Sequence, residues 1–334
     1  VSAAIDSIPL WITVLIKSAI LLLVVVTTFA YSMLAERKVM AWMQLRPGPN
    51  RTGPWGMMQP AADALKMMFK EDLTPNTADP LIYRLAPFIS LICAMGTFAI
   101  IPFTGDASGA YSIGNVNAGI LFVFSLTSIG VYGISLAGWA SGSKFPLLGS
   151  VRSTAQMISY ELSMSMSVIG VLILAGSTSL STIVSSQARV WFIVPQIVGF
   201  VIYIITAVAE TNRAPFDLVE AETELVGGFH TEYSGLRFGL FFIAEYLNMI
   251  TVSCLATLLF LGGWNPLFGP ANNPYIGLVW FILKAGLFLF FYIWLRTTLP
   301  RLRYDRLMDF GWKVLLPVAT LNLVLTAVAV AVWG

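Results

Sequence analysis

Long apolar stretches alternate with short polar ones along this 334-residue chain. Eight of them approach or exceed the roughly 20 residues that a helix needs to cross a bilayer. They run about 11–34, 81–102, 116–139, 154–175, 190–209, 237–261, 276–298 and 313–333. In lipid every backbone polar group must bond within the chain, so these stretches predict helices. The first is long and has no small-residue cleavage site after it, so it reads as a span and not as a signal peptide. One stretch has a different pattern. Between Trp55 and Lys70, Met57, Met58, Ala61, Leu65, Met68 and Phe69 fall on one helical face, and Gln59, Asp63, Lys66 and Lys70 on the other. Pro47, Pro49, Gly53 and Pro54 make an irregular lead-in. This helix is too short and too polar to span and is expected to lie flat on the membrane surface. Two roles are open to it: a structural anchor, or a lip for a lipid-like ligand with methionines as its adaptable wall. The expected fold is all-α and polytopic, a single membrane domain over 1–334 with a surface helix at about 55–70 and an acidic loop at about 210–236.

Charge orients this arrangement. The connections 35–80, 140–153, 210–236 and 299–312, with their flanks, collect sixteen of the nineteen Lys and Arg residues. The opposite side has only Arg189, while Lys17 and Lys284 lie inside spans. The basic side is therefore the cytoplasm or the mitochondrial matrix, with both termini opposite. Composition agrees: 57% of residues are hydrophobic and 11% charged, against roughly 25% charged in a soluble domain. Cys93 and Cys254 lie in apolar runs and imply no disulfide. Two cysteines and one histidine, His230, cannot supply the four thiolates of an iron–sulfur cluster. No metal site is expected, no GxGxxG or P-loop marks a nucleotide site, and nothing suggests nucleic acid.

The acids carry the candidate chemistry. Ala209–Tyr233 holds Glu210, Asp217, Glu220, Glu222, Glu224 and Glu232 between apolar flanks. Pro215 suits the first turn of a helix, and Gly227-Gly228 suits its end. On such a helix Asp217, Glu220 and Glu224 lie within about 60° of one another, and Glu222 points elsewhere. Either this is a solvated acidic face, or it folds back, loses water and binds protons as a coupled group. Within the spans stand Glu161, on a helix unusually rich in hydroxyls, Glu245, and Lys284. A charge at mid-membrane costs at least about 2.5–3.5 kcal/mol. These groups form either a buried ion pair, Lys284 with Glu161 or Glu245, or part of a proton path.

Four segments, AERKVMAWMQLRPGPNRTGP, GWASGSKFPLLGSVRSTAQMISYEL, AETNRAPFDLVEAETELVGGFHTEYSG and LPRLRYDRLMDFGWK, follow one another in this order. Together they resemble the family of membrane H subunits of proton-translocating NADH:quinone oxidoreductase, respiratory complex I, over nearly the whole chain. The resemblance implies a subunit that joins the membrane arm to the hydrophilic arm and encloses a quinone tunnel. Glu36, Arg37, Asp63, Ala64, Lys66 and Phe242 would line its mouth or chamber. Glu161, Glu210, Asp217, Glu220, Glu222, Glu224, Glu232 and Glu245 would match the family's acidic path; Lys284 joins the candidate proton path by its depth in its own span. Arg296, Arg301, Arg303 and Arg306 would dock the hydrophilic arm. The second to sixth spans would resemble half of an antiporter subunit. NADH, FMN and iron–sulfur clusters would sit on partner subunits, with quinone as the substrate here. The setting would be a bacterial plasma membrane in preference to a mitochondrial inner membrane. One departure stands out: some members carry a carboxylate in the third span, where this chain, with Ser125, Thr127, Ser128 and Tyr132, has no acid at all. Two other classes compete, a free-standing ion transporter and the anchor subunit of a membrane-bound hydrogenase. The Met-rich surface helix and the intact acidic loop favour the quinone enzyme.

Overall fold

The computed structural model describes residues 10–105, 116–217, 226–266 and 273–333. Among them every regular element is helical. In chain order these are α1 (Leu10–Met43), α2 (Gln59–Phe69), α3 (Pro80–Phe98), α4 (Gly119–Ala140), α5 (Lys144–Ala175) and α6 (Leu180–Ser186). They continue with α7 (Ile197–Glu210), α8 (Gly235–Phe260), α9 (Pro274–Thr298), α10 (Tyr304–Phe310) and α11 (Leu316–Trp333). A π-helical turn, Gly311–Leu315, joins α10 to α11. Among the described residues seven helices are long and apolar enough to cross a membrane: α1, α3, α4, α5, α8, α9 and the α10–α11 rod. The chain is a polytopic membrane protein.

Local chemistry sets several boundaries. The Asp79 carboxylate accepts from the N–H groups of Leu81 and Ile82, with Pro80 in the first turn of α3. Asn273 and Pro274 open α9 in the same way. Gly176 takes the left-handed conformation that ends α5. Between these ends α3, α4, α5, α7 and α8 close into a ring, each packed on the next and α8 back on α3. α1 and α9 lie against α8, and α11 lies against α5. In α8 67% of the span is buried, against 6% in α1, so α8 is the central post and α1 the rim. The hydroxyl-rich face of α5 points inward: Ser153, Gln156, Tyr160, Ser163 and Ser167 are all fully buried.

Several of the expected elements need correction. α1 continues to Met43, so Glu36, Arg37 and Lys38 ride on its inner end. α5 starts at Lys144, and the last span starts at Tyr304. The expected surface helix is broken at Trp55, whose φ is 54°, and runs regularly only over Gln59–Phe69. The fifth span is helical only from Ile197. Its fourteen residues cover about 21 Å, short of the roughly 30 Å of a hydrocarbon core. The segment before it has another job. The Ile193 N–H donates to the Phe260 carbonyl at 3.0 Å, and Gln187 Nε2 donates to that of Leu258 at 2.8 Å. A helix through 190–196 would take the Ile193 N–H away from the end of α8. In the acidic loop, Arg213–Asp217 forms turns in place of the expected helical start, and Gly228–His230 forms one 3-10 turn. Glu220, Glu222 and Glu224 lie outside the described residues.

Candidate functional site

The first group is a charge cluster at the inner end of α1. Glu36 is 3% exposed, and its carboxylate meets Arg213 Nη1 at 3.2 Å and the Arg296 guanidinium. The Arg213 Nε lies 2.7 Å from Oε1 of Glu245 on α8. Its guanidinium carbon stands 4.2 Å from the centroid of the Tyr246 ring. Two carboxylates thus share two guanidiniums, which balances charge where a lone ion would cost several kcal/mol. Burial works against the charge on Arg213, but Glu245 and Glu36 outweigh it and hold the guanidinium pKa above its usual value. Arg213 is thus the shared element, one residue touching acids on two different spans.

Gln156 of α5 shapes the loop that carries Arg213. Its Nε2 donates to the carbonyls of Ala209 at 2.8 Å and Phe216 at 2.9 Å, clamping both ends of the turn. Asn212 sits between them at φ 51° and donates to Ser153 Oγ at 3.2 Å. The polar face of α5 thereby replaces the water that a surface loop would use.

The second group surrounds a cavity between α3, α4, α5, α7 and α8. Glu210, Asp217, Glu245 and His230 line it with Thr211, Asn212 and Asn248. Phe229, Phe238, Phe241 and Phe242 supply an apolar wall. Glu210 is 7% exposed, and its Oε2 has no hydrogen-bond partner among the described residues. Asp217 is 5% exposed and faces Arg301 Nη2 at 3.3 Å. Glu161 accepts from the Ser128 hydroxyl of α4. A hydroxyl therefore serves the carboxylate at the span that has no acid of its own.

His230 lies against Phe229 and Phe238, with ring centroids at 5.0 and 5.2 Å. Burial pushes its pKa down to about 4, against the pull of Asp217. The imidazole is therefore neutral at neutral pH. A base whose folded pKa is depressed supports the fold above its unfolded value, near 6.5. That support is lost as pH falls from there through 4. Thermal inactivation of the assembled protein is expected to worsen between pH 6.5 and 5, and His230→Asn is expected to flatten that loss. An unchanged slope in the variant would show that other groups set it.

The third group ties α2 to α1. Arg37 Nη1 meets Asp63 Oδ2 at 2.8 Å, and Lys66 Nζ lies 3.9 Å from Oδ1. Gln59 also donates to Asp63, at 3.2 Å, and Lys38 Nζ donates to the Trp55 carbonyl at 2.5 Å. Ala64 is exposed beside this network. Met57, Met58, Met68 and Phe69 expose more than half of their surfaces, so this chain leaves that apolar face open.

Several expected members fall elsewhere. Glu232 is not among the described residues lining the cavity, and its backbone carbonyl accepts from the Tyr83 hydroxyl at 2.7 Å. Lys284 pairs with neither Glu161 nor Glu245, because its ammonium donates to the carbonyls of Leu261, Gly263 and Asn265. Arg296 is no free docking arginine: the buried Glu36 carboxylate demands a counter-charge and draws it inward. Arg301 faces Asp217, Arg303 pairs with Asp305 at 2.8 Å, and Arg306 is exposed. Arg213, Tyr246 and Gln156 were not expected as site residues. Arg213 did carry a signal, a lone guanidinium between acids at the end of an apolar run. Among the described residues no group of three or more His, Cys, Asp or Glu side chains is placed to hold a metal.

The sequence profile of the NADH dehydrogenase family matches residues 16–327. The chain belongs to that family. An H subunit of NADH-quinone oxidoreductase from Symbiobacterium thermophilum, numbered 1, is 50% identical over 97% of this chain and 99% of its own length. Another, from Geobacter metallireducens and also numbered 1, is 52% identical over 93% of this chain and 94% of its own. The NADH-quinone oxidoreductase H subunit of Brevibacillus brevis is 50% identical over 97% of this chain and 96% of its own. Within the NADH dehydrogenase family the chain is therefore of the H-subunit type, a membrane component of a multi-subunit translocating oxidoreductase.

Proposed function

We propose that this chain forms the mouth and chamber of a quinone tunnel in a proton-translocating NADH:quinone oxidoreductase and couples quinone reduction to proton movement. Electrons arrive from NADH through FMN and iron–sulfur clusters on partner subunits of the hydrophilic arm, in a bacterial plasma membrane. Neighbouring small and antiporter-like membrane subunits take up the far end of the path. The observation that carries the reading is Glu245. Its carboxylate touches Arg213 at 2.7 Å, and the same side chain lines the acid cavity. The charge cluster and the cavity therefore share a residue, so a change of charge at one alters the other.

The coupling follows from the pairing. Glu36 shares Arg213 with Glu245, and the next residue, Arg37, pairs with Asp63 of the surface helix. A quinone head group entering past Arg37, Asp63, Ala64 and Lys66 would reach Glu36 and Phe242. Reduction of the quinone takes two electrons and two protons. Any proton drawn to or from Glu36 changes its hold on Arg213, and hence the charge balance at Glu245. From there Glu210, Asp217 and Glu161, with Glu220, Glu222, Glu224 and Glu232 of the acidic loop, would relay the change. Arg301, Arg303 and Arg306 remain the arginines for docking the hydrophilic arm. Lys284, at the other end of α8, has no part in this relay.

The mouth is tested by tail length. Ala64→Phe is expected to raise the KM for a long-tailed quinone several-fold and to leave a short-tailed analogue nearly unchanged. Steady-state kinetics of the whole complex in membranes reads both. Equal effects on the two would mean that the surface helix is an anchor alone.

A further inference from the structure

The end of α8 away from the acid cavity finds donors for the carbonyls of Thr257, Leu258 and Phe260, and the turn that follows it is closed by a charge. A helix leaves its last four carbonyls unpaired, and in a membrane each needs a donor. Thr257 accepts from the N–H groups of Leu261 at 3.2 Å and Gly263 at 2.9 Å. Leu258 accepts from Gln187, and Phe260 from the Ile193 N–H. The chain then turns back through Gly262 and Gly263, both in the left-handed region at φ 69° and 54°. That turn aims the carbonyls of Leu261, Gly263 and Asn265 at one point. Lys284 of α9 occupies it, with Nζ at 2.6, 2.9 and 2.6 Å from the three oxygens. The Trp191 ring covers the ammonium at 4.3 Å. A Cβ on Gly262 would come within 2.8 Å of that ring, so the indole is packed tightly over the turn.

An ammonium has three N–H donors and no acceptor. Three carbonyls take all three, and Lys284 is 7% exposed. Its partners among the described residues are those carbonyls and the indole, with no carboxylate. Amide carbonyls are far too weak as bases to accept its proton. The site is a cage fitted to a fixed cation, and the side chain supplies that cation already tethered. Glu245, on the acid cavity, lies sixteen residues before Leu261 on the same helix, about 24 Å away along its axis.

We propose that Lys284 is a positioning residue, a cation that closes the turn after α8 in a carbonyl–indole cage, and that it carries no proton during turnover. The cage then accepts a small primary ammonium when the side chain is removed. This inference is independent of the acid path, whose failure would be read in Glu210 and Glu161 variants and not at Lys284.

The test uses the whole complex in membranes with Lys284→Ala and Lys284→Arg. Lys284→Ala is expected to lower the midpoint of thermal inactivation by several degrees. Ethylammonium is expected to recover much of that shift, and tetramethylammonium, which has no N–H, to recover none at equal ionic strength. Lys284→Arg keeps a charge that does not deprotonate and is expected to translocate the wild-type number of protons per NADH oxidised. If Lys284→Ala fails to assemble, the arginine variant carries the test alone. Normal electron transfer with fewer protons moved in either variant would overturn the proposal. So would a Lys284→Ala midpoint lowered equally with and without ethylammonium.

Discussion

Arg213→Met is expected to abolish most quinone reductase activity and to deplete the assembled complex. The guanidinium is 5% exposed and lies between Glu36 at 3.2 Å and Glu245 at 2.7 Å. Removing one partner of a buried ion pair leaves an uncompensated charge and costs about 3–5 kcal/mol. That is two to three orders of magnitude or more in an equilibrium constant. Arg296 still holds Glu36 after the change, while the 2.7 Å contact to Glu245 is lost. Arg213→Lys is expected to fall between, since an ammonium cannot reproduce a fork that touches two carboxylates. Arg189→Ala, exposed at the opposite end, serves as the control for the substitution of a basic residue. Native gels of solubilised membranes report assembly, and NADH-driven quinone reduction reports activity. Near-normal values for both in Arg213→Met would mean that the cluster is held by other contacts and does not organise the site.

The spans were legible because hydrophobicity is a local property of the chain. α3, α4, α8 and α9 lie close to where the apolar runs place them. What escaped was set by distant partners. α7 is short because the Gln187–Gln196 segment caps α8, and Gln187 finds its acceptor there 71 residues away. Hydropathy cannot see that exchange, since the same residues would be equally at home in a helix. The acids were found individually, but their pairing was not. Glu36 meets Arg213 across 177 positions and Arg296 across 260. Arg296 looked like a surface arginine because its neighbours in sequence are polar on one side. Only the fold brings it to Glu36. The polar face of α5 was visible as an anomaly, and its use, holding the Ala209–Phe216 turn through Gln156, was not. Sequence thus located the groups that needed an explanation, and packing supplied the partners.

Glu210→Gln is expected to assemble normally and to lose most proton translocation per electron. The amide matches the carboxyl in shape, so the ring of α3, α4, α5, α7 and α8 has no reason to open. The carboxyl it replaces is 7% exposed, lines the cavity, and leaves Oε2 without a partner among the described residues. An unpaired buried oxygen is costly in a structural role and useful in a site that takes up and releases a proton. An amide cannot exchange a proton in this way. Glu161→Gln is expected to act in the same direction, because the Ser128 hydroxyl that serves its carboxylate can bond an amide but receives no proton from it. Proton uptake in closed membrane vesicles, measured beside NADH oxidation, separates coupling from turnover. A ratio cut several-fold at unchanged complex content supports a relay through the cavity. A full ratio in both variants would mean that these two acids only hold the helices together, and the coupling would then have to run through the acidic loop.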